Sequence, residues 1–175
     1  LWSLQENHNN HFQWIRDRLS EGKGQVRSKK VDYLLFLLIE SLIANYEETF
    51  EKLLNADGDS IKVTNINPTP YFTKKVEEQK RRMLNFKKAT LSLRNTIVKL
   101  ETINIIPMDS KYFTELKEQA NNLIDEIDFE LFELDSKTNL IFSIQGHRLN
   151  EIMRTLTLVT VVFIPLTFLA GIYGT

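Results

Sequence analysis

The sequence of 175 residues contains no cysteine, which excludes disulfide bonds, thiolate metal ligands and a cysteine nucleophile. It also has little net charge, because 22 basic residues balance 23 acidic ones. The chain as a whole therefore has no electrostatic attraction to nucleic acid or to anionic lipid. The opening residues show no basic segment followed by an apolar stretch, so no signal peptide is visible. Since the first residue is Leu1, we expect the natural start to lie upstream.

Catalytic motifs are equally scarce in this sequence. We find no Gly-rich phosphate loop, no Ser-His-Asp set and no paired carboxylates in an apolar setting, and we predict that the chain is not an enzyme. His8 and His11 lie one turn apart, but two histidines without a third ligand do not make a metal site. The basic segment 74–88 contains Glu77 and Glu78, which favours a solvent-facing helix and predicts no nucleic-acid partner.

The spacing of apolar residues predicts a mainly α fold. A short amphipathic helix is expected over about 8–21, and longer helices over 31–56 and about 72–104, with a turn-rich loop between the two long ones. We expect these two helices to fold back on each other as a hairpin. The alternation of apolar and polar residues over 1–5 predicts a remnant strand at the N-terminus.

The end of the chain contains no signal that would stop a helix. Residues 112–175 form one helix of roughly 90 Å if it is continuous, and we predict that it is unbroken at least through Asn150. Residues 155–175 carry no charge and have the length of a membrane span. Arg148 and Arg154 precede this span, which predicts that the preceding domain is cytoplasmic.

A stripe at intervals of three and four along this span is smaller and more polar than the faces beside it. Its members are Asn150, Met153, Thr157, Thr160, Ile164, Thr167, Gly171 and Gly174. Polar groups are costly in hydrocarbon, so the stripe is expected to face protein or water. Two interpretations remain open: a packing seam between membrane helices, which periodicity alone favours, and the lining of a pore.

The segment 125–135, "DEIDFELFELD", is strongly acidic. A solvated helix face explains such a run. The alternative hypothesis is weak sensing of a divalent cation between subunits, with Asp128 and Asp135 as the candidate regulatory ligands.

Three segments resemble one protein family, the CorA-type magnesium and divalent-cation transporters. "NEIMRTLTLVTVVFIPLTFLAGIYG", 150–174, is similar to the end of that family's stalk and its first membrane helix. "KKVDYLLFLLIESLIANYEETFEKL", 29–53, and "LSLRNTIVKL", 91–100, are similar to its cytoplasmic helices. The resemblance implies a homopentamer in the inner membrane of the cell, with five long helices around a central ion pathway and a second membrane helix beyond this sequence.

The resemblance also implies roles for individual residues. The pore-facing positions it implies are Asn150, Met153, Leu156, Thr160, Ile164 and Thr167, to which the stripe adds Thr157. Gly171, Tyr173 and Gly174 match the start of the signature loop, although Thr175 stands where the family has Met. Asn139 stands where the family often has a regulatory aspartate.

Four regions follow from the resemblance. They are 1–30, the end of an N-terminal mixed α/β cytoplasmic domain; 31–111, a cytoplasmic helical hairpin; 112–154, a stalk helix; and 155–175, the first transmembrane helix, truncated at the signature loop.

The implied function is transport of Mg²⁺, with Co²⁺ and Ni²⁺ as further candidate ions. Mg²⁺ is expected as the transported ion and as a candidate regulatory ion, and no other cofactor is expected. Two alternatives stay open: a membrane-anchored helical scaffold without transport activity, and a soluble bundle with an apolar C-terminal core helix. A plain anchor gives no reason to place Thr157, Thr160 and Thr167 on one face.

Overall fold

The computed structural model describes residues 12–22, 29–56, 68–103 and 108–174. Within these ranges there are four helices and no strand. The helices are α1 (Gln13–Glu21), α2 (Val31–Asn55), α3 (Pro70–Ile103) and α4 (Ser110–Tyr173). The predicted mainly α fold is confirmed. The bounds of α2, α3 and α4 agree with the predicted ones to within a few residues, whereas the predicted start of the first helix at about residue 8 lies outside the described residues. The strand predicted over 1–5 lies outside the described residues.

Local sequence explains where the helices begin and end. The Asp109 side chain accepts a hydrogen bond from the Lys111 backbone N–H at 3.1 Å, which caps the first turn of α4. Pro70 opens α3, and the Thr69 hydroxyl oxygen accepts from the Phe72 N–H at 3.3 Å. Gly22 ends α1 with φ of 66°, a left-handed conformation that glycine adopts without steric cost.

The main contact of the bundle is an antiparallel seam between α3 and α4. Buried and half-buried residues recur on α3 at alternating intervals of four and three: Phe72, Val76, Gln79, Met83, Phe86, Thr90, Leu93, Ile97 and Leu100. On α4 the same alternation passes through Phe113, Leu116, Ala120, Leu123, Ile127, Glu130, Leu134, Lys137 and Ile141. An average interval of 3.5 residues keeps one stripe of a helix against its partner over many turns, so the two stripes form one long core.

Helix α2 completes the core by lying along both of these helices. Its first half packs near the start of α4, where the rings of Phe36 and Tyr112 are 4.8 Å apart. Its end is held by the buried Gln79, whose amide donates to the Leu53 carbonyl at 2.8 Å. Since α3 has its main contact with α4, the antiparallel pair that dominates the fold is α3 with α4, and α2 packs beside it.

Helix α4 continues far beyond the bundle. It has 64 residues and therefore a length of about 95 Å. The Gln145 amide donates to the Pro68 carbonyl at 3.3 Å, near the point where α3 begins. Every residue from 145 to 174 is exposed in the single chain. The predicted unbroken helix through Asn150 is confirmed, because no reversal occurs anywhere between Ser110 and Tyr173.

A half-buried carboxyl group lies where α2 meets α4. Burial raises the pKa of Glu40, and the negative charge of Glu115 on α4 raises it further, against a smaller opposite effect of the hydrogen bond with Gln119. The ionised form of Glu40 is therefore less favourable in the folded protein than in the unfolded chain.

Truncating the seam is expected to destabilise the bundle. Met83 is fully buried, so Met83→Ala removes apolar contacts and leaves a cavity, which should lower the free energy of unfolding by about 2 to 4 kcal/mol. The neighbouring Leu84 is 48% exposed, and Leu84→Ala should cost less than about 1 kcal/mol. Urea unfolding followed by helical circular dichroism measures both values. Equal losses for the two variants would contradict the assignment of the seam.

The Glu40 carboxyl predicts a pH dependence of stability. Because its pKa is raised in the folded state, ionised Glu40 destabilises the fold at neutral pH, and this effect disappears as the pH falls through the raised pKa toward the ordinary value of 4.5.

Glu40→Gln should therefore raise the unfolding temperature at pH 7, and the gain should shrink at acidic pH. Glu48→Gln is the matched control, since Glu48 is a solvent-exposed residue of the same helix. A Glu40→Gln gain of the same size at pH 7 and at pH 4 would show that charge is not its cause.

Candidate functional site

The C-terminal third of α4 has the properties of a membrane-spanning segment. Within the described residues, α4 is the one helix that is long and apolar enough to cross a membrane, by length and composition. Residues 155–174 carry no charge and are all exposed in the single chain. A helix satisfies its backbone hydrogen bonds internally, as hydrocarbon requires. Pro165 is an exception, because it has no N–H to donate to the carbonyl four residues earlier.

The predicted pore-facing residues share one face of α4. At about 100° per residue, all of them lie within about 60° of Met153 around the helix axis. They are Asn150, Met153, Leu156, Thr157, Thr160, Ile164 and Thr167, and each is exposed. Their side chains follow one another along the helix without interruption by a charged residue. We call this set the mixed face of α4, since it alternates amide, thioether, aliphatic and hydroxyl groups.

The threonine hydroxyls of the mixed face donate their hydrogen bonds to backbone carbonyls of the same helix. The hydroxyl of Thr157 donates to the Met153 carbonyl, that of Thr160 to the Leu156 carbonyl and that of Thr167 to the Phe163 carbonyl, each at 2.8 Å. The donor is thereby satisfied within the helix, which lowers the cost of a hydroxyl in an apolar medium. Each hydroxyl oxygen keeps lone pairs that can accept hydrogen bonds.

The residues predicted for the signature loop lie at the end of α4. Gly171 and Tyr173 belong to its last turn, and Tyr173 is about 160° around the axis from Met153. Gly174 follows the helix and donates its N–H to the Ala170 carbonyl at 2.8 Å. A Cβ at position 174 would lie 2.7 Å from that carbonyl oxygen, so any larger residue requires the backbone to move.

The two candidate metal ligands of the acidic segment are paired with lysines of α3. Lys80 forms an ion pair with Asp135, and the Lys87 ammonium lies 2.5 Å from an oxygen of Asp128. A divalent cation at either carboxylate would meet the positive charge of a lysine. In the described part of the chain, no three acidic or histidine side chains are grouped as a metal site would need.

A third acidic side chain of this segment lies in the seam. Burial raises the pKa of Glu130, with a smaller opposing effect of Lys137 and a further small rise from Glu133. Glu130 occupies a position of the seven-residue pattern that is apolar at Leu116 and Leu123, so its burial follows from the packing of α3 against α4.

The two lysines were not identified from the sequence, although a signal for them exists. Lys80 and Lys87 are seven residues apart on α3, and Asp128 and Asp135 are seven apart on α4. In an antiparallel pair with a seven-residue repeat, two such pairs form together or not at all. The two intervals match only because α3 packs against α4.

Asn139 and the three histidines of the chain complete the candidate residues. Asn139 and His147 are both exposed on α4 and precede the mixed face in the chain. Around the helix axis, Asn139 is about 40° and His147 about 120° from Met153. His8 lies outside the described residues, as does the neighbouring His11.

Comparison with known proteins agrees with the geometry. The family model described as "CorA-like Mg2+ transporter protein" matches residues 1–175. The "Cobalt/magnesium transport protein CorA" of Thermotoga maritima is 28% identical over 179 residues, which cover 98% of this chain and 50% of that protein. The "Putative metal ion transporter YfjQ" of Bacillus subtilis is 30% identical over 94 residues, or 48% of this chain and 30% of that protein.

The chain spans about half the length of the first of these relatives, and the match to the second covers less of both proteins. The family match, in contrast, extends over the whole sequence and includes both the helical bundle and the apolar end of α4. The chain therefore belongs to the CorA-like Mg2+ transporter protein family.

Proposed function

We propose that this chain forms the cytoplasmic helical part and the first membrane helix of a divalent-cation transporter. In this proposal five copies assemble around a central axis, and their α4 helices line a channel-like pathway for Mg²⁺, with Co²⁺ and Ni²⁺ as further candidate ions. The support is membership of the family and the likeness to a relative that is named as a cobalt and magnesium transport protein.

One observation carries the proposal. Helix α4 leaves the bundle as a single uninterrupted element, and its uncharged end carries the mixed face beside faces of Leu, Val and Phe. Lipid favours the purely apolar faces, whereas the mixed face favours protein or water. A ring of copies places the mixed face inside and the apolar faces outside.

The chemistry of the mixed face suits a hydrated cation. Mg²⁺ gives up its water reluctantly, so a pathway can recognise the hydrated ion through oxygen acceptors. A ring of Asn150 amides provides acceptors without a full charge that would retain the ion. The next rings toward the membrane, Met153 and Leu156, are apolar, and in this proposal they gate the pathway by excluding water.

The proposed location follows from the same residues. With Arg148 and Arg154 next to the span, residues 1–150 lie in the cytoplasm and α4 enters the inner membrane from that side. The full-length protein crosses the membrane more than once. An anchored scaffold without transport activity is the competing proposal, and it assigns no role to the acceptors of the mixed face.

The mixed face predicts a specific effect of Asn150→Leu in the full-length gene product. This substitution replaces the convergent amide oxygens with an apolar ring, so Mg²⁺ influx into liposomes should fall by about tenfold or more. Leucine is at least as good a helix former as asparagine, so the oligomer should elute unchanged in size-exclusion chromatography.

Glu151→Gln is the matched control, since residue 151 lies about 160° around the helix from Met153. We expect its influx to stay close to that of the parent protein. Normal influx in Asn150→Leu, or a loss that coincides with dissociation of the oligomer, would contradict the pathway and favour the packing-seam interpretation of the mixed face.

A further inference from the structure

The direction of the mixed face can be followed along α4 toward its N-terminus, into the helical bundle. Asp135 is 18 residues before Met153, which at about 100° per residue is the same direction around the helix axis. Asp128 is 25 residues before Met153 and lies within about 20° of that direction. If the α4 helices line a pathway as proposed above, the two aspartates lie on the side of the stalk that faces it.

Both aspartates are accessible from solvent, yet each carboxylate already forms an ion pair with a lysine of the same chain. The side chain of Asp135 is 51% exposed and that of Asp128 is 47% exposed. Their partners, Lys80 and Lys87, come from α3 and are less exposed, at 38% and 28%. The lysine stems lie along the seam, and the ammonium groups reach out of it to the carboxylates.

We propose that Lys80 and Lys87 are internal counter-ions that prevent the stalk from retaining the divalent cation it conducts. A carboxylate paired with an ammonium group is close to neutral at the distance of a hydrated ion. The same carboxylate without its lysine attracts a divalent cation, and repeated copies around an axis add their attractions. The inference concerns the two lysines, and the placement of the pairs along a pathway rests on the proposed function.

A role as counter-ions explains why both lysine–aspartate pairs are present, which their contribution to stability does not. Ion pairs of this exposure contribute little to the free energy of unfolding. The seam is already long and apolar, so α3 and α4 do not need two further charged contacts to pair. Both pairs nevertheless occur at the same seven-residue interval and on the side of α4 that continues into the mixed face.

The test is Mg²⁺ binding by the full-length gene product in an uncharged detergent, measured by equilibrium dialysis against MgCl₂. Lys80→Gln/Lys87→Gln should lower the half-saturating Mg²⁺ concentration about tenfold, because an adjacent positive charge has been removed from each carboxylate. Adding Asp128→Asn/Asp135→Asn should abolish the gain. Lys80→Arg/Lys87→Arg keeps the charges and should bind Mg²⁺ like the parent protein.

Lys52→Gln is the matched control elsewhere in the chain. It removes the ammonium group that lies 2.6 Å from Glu48 in an exposed pair on α2, and it should leave Mg²⁺ binding unchanged. If the double glutamine variant does not fold, Lys80→Gln and Lys87→Gln singly make the same test, since each frees one carboxylate.

Unchanged Mg²⁺ binding in the glutamine variants would overturn the inference, and so would a gain that persists after both aspartates are replaced. The binding result does not depend on transport. A parent protein that fails to conduct Mg²⁺ in liposomes would contradict the proposed function instead, so the two failures are distinguishable.

Discussion

The seam between α3 and α4 is the contact on which the rest of the structure depends. Its residues recur every 3.5 positions on average, which keeps one stripe of each helix in contact over about nine layers of side chains. The seam uses only one face of α4 and leaves the others for different partners. It also sets the register that brings Lys80 to Asp135 and Lys87 to Asp128. A shift of α3 by one turn would separate both pairs.

The surroundings of α4 differ between its two ends. Near its start it is half covered by the bundle, and near its end every side chain is exposed in the single chain. A continuous helix suits both regions, because its backbone hydrogen bonds are satisfied without help from water. Because α4 has no break between Ser110 and Tyr173, the bundle and the apolar end belong to one continuous helix.

Lysines pair with three carboxylates of α4, namely Asp128, Glu133 and Asp135. Lys117 pairs with Glu101 at 2.7 Å across the seam, near the end of α3. Glu130 and Lys137 occupy positions of the seam that are apolar elsewhere, and both are half-buried. Burial raises the pKa of Glu40 and of Glu130, so the fold holds two glutamates at some cost in stability at neutral pH. Such costs are tolerable because the apolar seam is long.

The sequence by itself determined the features that depend on neighbours along the chain. The bounds of α2 and α3, the continuity of α4 and the polar stripe from Asn150 to Thr167 all follow from local periodicity and from the positions of Gly, Pro and charge. The tertiary structure alone decided that α3 pairs mainly with α4, that Glu40 faces Glu115, and that lysines occupy Asp128 and Asp135. These contacts join residues far apart in sequence, and α2, whose apolar residues cover most of its surface, indicates no single partner. Which helices pack together depends on how the apolar stripes of all the helices are buried at the same time. The sequence of one stripe does not contain this information.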